Sequence, residues 1–253
     1  MFWFDGHIHL SSFKKPDRDQ LIERSAAQNI LGRIMAGYDA PDWDEQLKIK
    51  LPNTYRSFGL HPWQVLALGS EQIQKQMQHL ATILPEADFM GETGLDGFRA
   101  KTKEQKDLLE EIFRQHLHLN QTFKKPLVLH IVKDHERAQS LLKSYSYKGL
   151  VHGFSGSWEV AQNYINSGLM ISVGRGVYQR GYKSLKETVV KIPLASLVIE
   201  SDASEPEDAV DIYLKVVRAV CEIKNISQEQ LQEATFRNIN RLLSKEPEFV
   251  GDV

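Results

Sequence analysis

Seven residues able to bind metal or move protons each follow a short apolar run in this sequence: the pair His7 and His9, then His61, Glu92, His130, His152 and Asp202. Imidazole nitrogen and carboxylate oxygen, with no thiolate among them, make a ligand set for Zn, Mn, Ni, Fe or Mg without choosing among these. In His7-Ile8-His9 the histidines are two apart, and strand side chains alternate faces, so both rings can grip one ion. His7, His9, Glu92, His130, His152 and Asp202 exceed the three or four groups that one tetrahedral ion takes from protein, so two divalent ions are expected. Glu92 lies between Gly91 and Gly94, where backbones can approach closely, and is the candidate bridge. Such a pair would lower the pKa of a bound water and supply hydroxide as nucleophile. Asp202 would accept the water's proton, and His61 would bind a phosphate oxygen or protonate the leaving group. Glu92, Asp202 and His61 are thus the catalytic candidates, with Asp5 expected to orient an imidazole or cap a strand end.

These residues need elements that bring them to one place. Apolar runs of strand length occupy residues 2–4, 30–36, 56–60, 89–91, 127–129, 150–151, 170–173 and 197–199. Segments with apolar residues three and four apart lie between and after them, at 17–28, 43–50, 71–84, 103–123, 134–145, 158–166, 185–191, 209–224 and 228–243. Ser227 with Gln230 has the spacing of a capping box for the last of these helices. Eight alternations predict an α/β fold, a (β/α)8 TIM-type barrel, with residues 1–253 forming a single domain. The strand ends of a barrel share one mouth, whereas an open sheet would spread these ligands along a line. Residues 246–253 read as a loose tail. His79, His116, His118 and His135 fall inside helical patterns and are expected at the surface.

Composition narrows the function. The 42% hydrophobic and 25% charged fractions are those of a soluble globular chain. Lys+Arg 31 against Asp+Glu 33 leaves a net charge of −2, which argues against a basic surface tracking along a duplex. Contact with nucleic acid should therefore be local, through phosphates at Lys133 and Arg175 and base stacking on Trp63 and Phe98, with packing under its loop the alternative for either ring and more so for Phe98. Cys221 sits in a helical pattern and reads as a small buried hydrophobe. No apolar stretch reaches the length of a membrane span and no signal segment opens the chain, so a cytoplasmic, monomeric protein is expected. Neither G-x-x-x-x-G-K-[ST] nor G-x-S-x-G occurs, which removes the common nucleotide cradle and serine nucleophile.

Asp5-Gly6-His7-Ile8-His9, Gly59-Leu60-His61-Pro62, Gly91-Glu92-Thr93-Gly94-Leu95-Asp96, His130, His152-Gly153-Phe154-Ser155-Gly156 and Glu200-Ser201-Asp202 resemble, in order, the motifs of the TatD family of metal-dependent hydrolases. Residues 235–243 resemble its C-terminal helix. The resemblance implies a (β/α)8 barrel and a deoxyribonuclease that trims DNA from the 3′ end. It also implies one metal held by His7, His9, Glu92 and Asp202 and a second by Glu92, His130 and His152. Two positions depart from the family: Val132 precedes Lys133 where many members carry a basic residue, and the segment after Asp202 is short and acidic. The leading expectation is a phosphodiesterase acting on DNA ends, single strands or a small phosphodiester. An amidohydrolase-like enzyme cleaving an ester, lactone or amide is the alternative, and a non-catalytic metal-binding scaffold is the third reading.

Overall fold

The computed structural model describes residues 1–244, so the tail at 246–253 lies outside the described residues. The strands are β1 (Trp3–Ile8), β2 (Ile30–Met35), β3 (Thr54–Tyr55), β4 (Ser57–Phe58), β5 (Phe89–Asp96), β6 (Leu127–Val132), β7 (Gly149–Val151), β8 (Leu169–Val173) and β9 (Leu197–Ile199). All pair in parallel, in the orders β1-β2-β3 and β4-β5-β6-β7-β8-β9. Only Arg56 separates β3 from β4, so the chain pairs with β2 at Thr54 and Tyr55, just before the third apolar run, and with β5 at Ser57 and Phe58 inside it. At the other seam the Asp202 N–H donates to the His7 carbonyl at 2.9 Å, beside β9. Gly6 is required there, because a Cβ would stand 2.4 Å from Val198 Cγ1 and 3.0 Å from the Ile199 carbonyl oxygen.

Closure shows best in what the ring encloses. Phe4, Ile34, Tyr55, Phe89, Val128, Leu150, Met170 and Val198, one from every strand except β4, form a single buried cluster, Tyr55 standing one residue before the third apolar run. Interior layers built from every strand are the packing of a filled α/β barrel. The bottom of this barrel is plugged by Ile239 and Leu242 of the last helix.

The helices are α1 (Lys15–Ala27), α2 (Ala40–Lys48), α3 (Pro62–Ala67), α4 (Ser70–Ile83), α5 (Lys103–Phe123), α6 (His135–Leu142), α7 (Trp158–Asn166), α8 (Lys183–Lys191), α9 (Ala209–Lys224) and α10 (Gln228–Leu242). Their apolar stripes pack on the strands as a second, larger core. Ser227 accepts from the Gln230 N–H while the Gln230 side chain accepts from the Ser227 N–H, completing the expected capping box. The short α3, which follows His61 directly, escapes the periodic pattern because six residues hold less than two turns. None of the helices among the described residues is long and apolar enough to cross a membrane.

Several histidines depart from expectation. His116 is fully buried, not at the surface, because it continues the stripe of Ile112 and Phe113 into the core. There its Nε2 accepts the Leu60 N–H at 3.0 Å and its Nδ1–H donates to the Ile112 carbonyl at 2.8 Å, so both ring nitrogens are satisfied without water. His79 and His135 are partly buried, the first against Asp44 and the second against the Tyr164 hydroxyl. His118 is exposed. Cys221 is half-buried against the helix-side core.

Candidate metal centre

The ligand-bearing strands are longer than their apolar runs. β1 continues to Ile8, β5 to Asp96 and β6 to Val132, so His7, Glu92 and His130 lie within strands and only His9, His61, His152 and Asp202 lie beyond strand ends. Polar side chains end the apolar pattern while the backbone ladder goes on. In β1 the register against β2 slips between Asp5 and Ile8, and in β5 the register against β6 slips between Met90 and Thr93. Such slips re-aim side chains, and these fall on His7 and on Glu92. Gly91 permits the second: its φ is +154°, and a Cβ would lie 2.2 Å from the Val128 carbonyl oxygen.

Glu92 is 1% exposed and its two oxygens face two groups of donors. Oε1 lies 3.3 Å from His7 Nε2 and 4.0 Å from His9 Nε2, and Asp202 Oδ1 lies 4.0 Å and 3.5 Å from those same nitrogens. Oε2 lies 2.7 Å from His152 Nε2 and 3.5 Å from His130 Nδ1, with the two imidazole nitrogens 3.1 Å apart. Donors bound to one ion at about 2.0–2.1 Å stand about 3.3–3.4 Å apart in a tetrahedron; the separations here run from 3.3 to 4.0 Å in the first group and from 2.7 to 3.5 Å in the second, on either side of that spacing.

Hydrogen bonds around the cluster set the tautomers. His130 Nε2 faces Asp96 Oδ2 at 3.3 Å and donates to it, which leaves the Nδ1 lone pair toward Glu92. His61 Nδ1 accepts the Trp63 N–H at 3.0 Å, so its proton sits on Nε2, 3.4 Å from Glu92 Oε2. His61 therefore enters the cluster as a donor, and the same bond caps α3 at the His61-Pro62 turn. Burial lowers its pKa to about 4, against the pull of Glu92. Burial alone would raise the Glu92 carboxyl, but His7, His152 and His61 hold it well below its ordinary range. Burial would likewise raise Asp202, and the His9 hydrogen bond with the charges of His152 and His7 brings it down to about 2.

Within this cluster His7 Nδ1 and Nε2, Glu92 Oε1 and His152 Nδ1 are buried without hydrogen-bond partners. Buried polar atoms are almost always paired. Here lone pairs of imidazoles and a carboxylate converge at hydrogen-bond distance, an arrangement that repels unless a proton or a cation sits among them. The donor chemistry fits divalent metal.

Other expected residues fall as follows. Asp5 meets no imidazole: it accepts from the Ser201 N–H at 2.9 Å, the Ser201 hydroxyl at 2.6 Å and the His7 backbone N–H at 3.2 Å, so it fastens the β1–β9 seam. Two carboxylates that sequence reasoning did not single out stand beside the imidazoles instead, only the first of them within hydrogen-bond distance. Asp96 holds His130, and Glu200, fully buried, has Oε1 3.8 Å from His152 Nδ1 and 2.6 Å from the Gly153 N–H that it accepts. Both signals were present: Asp96 is four residues beyond Glu92 on the same strand face, and Glu200 two before Asp202. A cleft of about 710 Å³ opens over the cluster, lined by His9, Asp202, Tyr38, Trp63 and Arg175 among others. Arg175 donates to the Asp202 carbonyl. Lys133 is exposed after β6 and does not line this cleft.

The family described as TatD related DNase matches residues 4–244. The chain belongs to the TatD family. The metal-dependent hydrolase YabD of Bacillus subtilis (strain 168) is 26% identical over 94% of this chain and 98% of its own. The 3′-5′ ssDNA/RNA exonuclease TatD of Salmonella typhimurium is 29% identical over 79% of this chain and 78% of its own. The crystal structure of YjjV, a TatD homologue from Escherichia coli K12, superposes with a TM-score of 0.83 at 24% identity, covering 96% of this chain and 98% of that one. The TatD barrel is thus the fold that the eight-run alternation predicts.

Proposed function

We propose that this TatD chain hydrolyses phosphodiester bonds at the 3′ end of single-stranded nucleic acid, holding two divalent cations at the Glu92 cluster. His7, His9, Asp202 and Glu92 Oε1 would hold one, and His130 Nδ1, His152 Nε2 and Glu92 Oε2 the other. The observation that carries the reading is the division of one buried carboxylate between two sets of inward-facing lone pairs. The named activity of the Salmonella relative supports the substrate class. When bound, the cations supply Lewis-acid charge and an activated water.

The chain's own groups then divide the remaining work. Asp202, ionised and with its side chain 33% exposed to the cleft, accepts the proton of the attacking water. His61 directs its Nε2–H toward a phosphoryl oxygen; already neutral, it has no spare proton to give to the leaving group, which narrows the two roles its position suggested. Asp96 keeps His130 aimed, and the Glu200 carboxylate places a negative charge 3.8 Å from His152 Nδ1. Trp63, 40% exposed, borders the path by which an unpaired base reaches the cluster, and Arg175 stands where a phosphate would arrive. Lys133 reaches a phosphate only outside the cleft.

The test compares metal-loaded and chelated protein on single-stranded, blunt and circular DNA of matched sequence, with small phosphodiester, ester and amide substrates alongside and Trp63→Ala as the binding variant. Cleavage confined to free ends and abolished by chelation is expected, with Trp63→Ala raising KM. Equal rates after chelation, comparable cleavage of closed circles, or turnover of esters and amides alone would overturn the reading.

A further inference from the structure

Charge is uneven around the cleft. Asp39, Asp42 and Glu45 line it from α2 and the loop before it; Glu45 is paired with Arg18 and Lys48, while a polyanion passing there meets the carboxylates of Asp39 and Asp42, which have no Lys or Arg partner among the described residues. Near Trp63, the β5–α5 loop at residues 97–102 brings the opposite sign. The Arg99 guanidinium lies 4.2 Å from the centroid of the Trp63 ring, which itself lines the cleft. Phe98, its neighbour in sequence, is 62% exposed, with the Lys101 ammonium 4.5 Å from its ring centroid. Phe98 thus joins Trp63 at the surface and does not pack under its loop.

Among the described residues, neither Arg99 nor Lys101 has a carboxylate partner, whereas Lys103, Arg114 and Arg137 nearby in sequence or on the adjoining helices are all paired. The loop is also held in shape. Asp96 Oδ1 accepts the N–H groups of Phe98 at 3.0 Å and Arg99 at 2.8 Å, while Oδ2 of the same carboxylate accepts from Trp63 Nε1 at 2.7 Å and from His130. One buried side chain thereby ties Phe98 and Arg99 to the edge of the catalytic cluster, and the Lys101 N–H is held two residues on by the Gln105 side chain. Aromatic faces that take bases, set beside cations that take phosphates, are how single strands are bound without sequence preference.

Resting on the phosphodiesterase reading above, we propose that Phe98, Arg99 and Lys101 form a ledge for single-stranded nucleic acid on the 5′ side of the scissile phosphate. The strand leaves the cluster over the β5–α5 loop and not over α2. A base lies on Phe98, and the two cations move from the aromatic rings onto successive phosphates.

The experiment measures binding of a phosphorothioate-linked single strand, which resists cleavage, to the metal-loaded protein across a salt series. Each phosphate deprived of its cation removes about 0.7 from the slope of log K against log salt for a single strand, so Arg99→Ala combined with Lys101→Ala should flatten it by about 1.4. Phe98→Ala should weaken binding by about fivefold or more with the slope unchanged, because stacking carries no counterion release. Lys50→Ala, an exposed charge in the connection between α2 and β3 at the other end of the barrel, should alter neither. Wild-type affinity and slope in both the Arg99→Ala/Lys101→Ala double variant and Phe98→Ala, with the wild type binding and cleaving the natural strand, would overturn the ledge while leaving the phosphodiesterase reading intact. A wild type that neither binds nor cleaves any strand would remove both.

Discussion

Asp96→Asn tests the link between cluster and loop with almost no change in shape. Four N–H groups converge on this carboxylate: Trp63 Nε1 and His130 Nε2 on one oxygen, Phe98 N and Arg99 N on the other. A carboxylate only accepts, so it can satisfy all four, whereas an amide must present its NH2 to one pair of donors. With the amide nitrogen turned toward the loop, the Phe98 and Arg99 amides exchange their bond for water at little cost. The His130 bond then persists but becomes neutral. A hydrogen bond to a charged group contributes about 1.5–3 kcal/mol and a neutral one about 0.5–1.5, so the aim of His130 loses about 1–2 kcal/mol. That corresponds to roughly 5- to 30-fold weaker metal binding, in line with other losses of a ligand's supporting partner. Turned the other way, the amide forces the His130 proton onto Nδ1, facing Glu92, and the loss is larger. Calorimetric titration of Mn2+ or Zn2+ into the chelated variant reads the affinity, and nitrogen chemical shifts of His130 in the Zn2+ form read the tautomer. Affinity within twofold of wild type, with the tautomer unchanged, would refute the argument that Asp96 sets His130.

Cations that bind only the native state stabilise it by about 2.7 kcal/mol at a hundredfold excess over Kd, which at about 2–4 °C per kcal/mol raises Tm by roughly 5–11 °C. Scanning calorimetry with and without chelator should show this shift, and Glu92→Gln should shrink it; an unchanged melting curve would mean that the cluster holds no ion. His116 gives a pH effect independent of metal. Burial lowers its folded pKa to about 4 from an ordinary 6.5, so the unfolded chain binds the extra proton between those values, and stability present above pH 6.5 is lost as pH falls toward 4. Urea midpoints in chelator should reveal a loss of about 2–3 kcal/mol from pH 7.5 to 4.5 from this group, absent in His116→Gln. Identical pH profiles for the two proteins would contradict it.

The fold was readable from periodicity because strands and helices of a barrel bury opposite kinds of pattern. The ends were not. Glu92 and His130 look like the close of an apolar run, yet each lies inside a strand, since hydrogen-bonded pairing does not depend on side-chain polarity. Strand spacing proposed that His7 and His9 act together, and their Nε2 atoms do approach the same two carboxylates. Periodicity puts His116 on the face of Ile112 and Phe113, but residue type argued for the surface, and only its two backbone partners, one of them at Leu60 on a different element, make an imidazole tolerable there. Asp96 and Glu200 were hidden for a related reason: a carboxylate that orients a ligand looks in sequence like any turn or strand-end acid, and only its distance from a ring nitrogen separates the two.

Placing Glu92 at the centre carries a cost that the rest of the fold absorbs. The carboxylate, at 1% exposure, is ringed by imidazoles of which His130 and His61 have their other nitrogen committed to Asp96 and to the Trp63 amide, so these two rings cannot turn to relieve the crowding of lone pairs. In His130 the committed nitrogen leaves Nδ1 facing inward. In His61 it leaves a proton facing inward, and that difference separates a group able to ligate from one able only to donate, although both rings stand about 3.5 Å from the same oxygen. Proximity alone would group His61, Glu92 and His130 as one ligand set. Tautomer assignment divides them, and it predicts that His61→Gln, which can still donate an N–H, retains metal affinity while His130→Gln does not. Calorimetric titration of both variants decides this. An equal loss of affinity in the two would place His61 among the ligands and withdraw the role assigned to its Nε2–H.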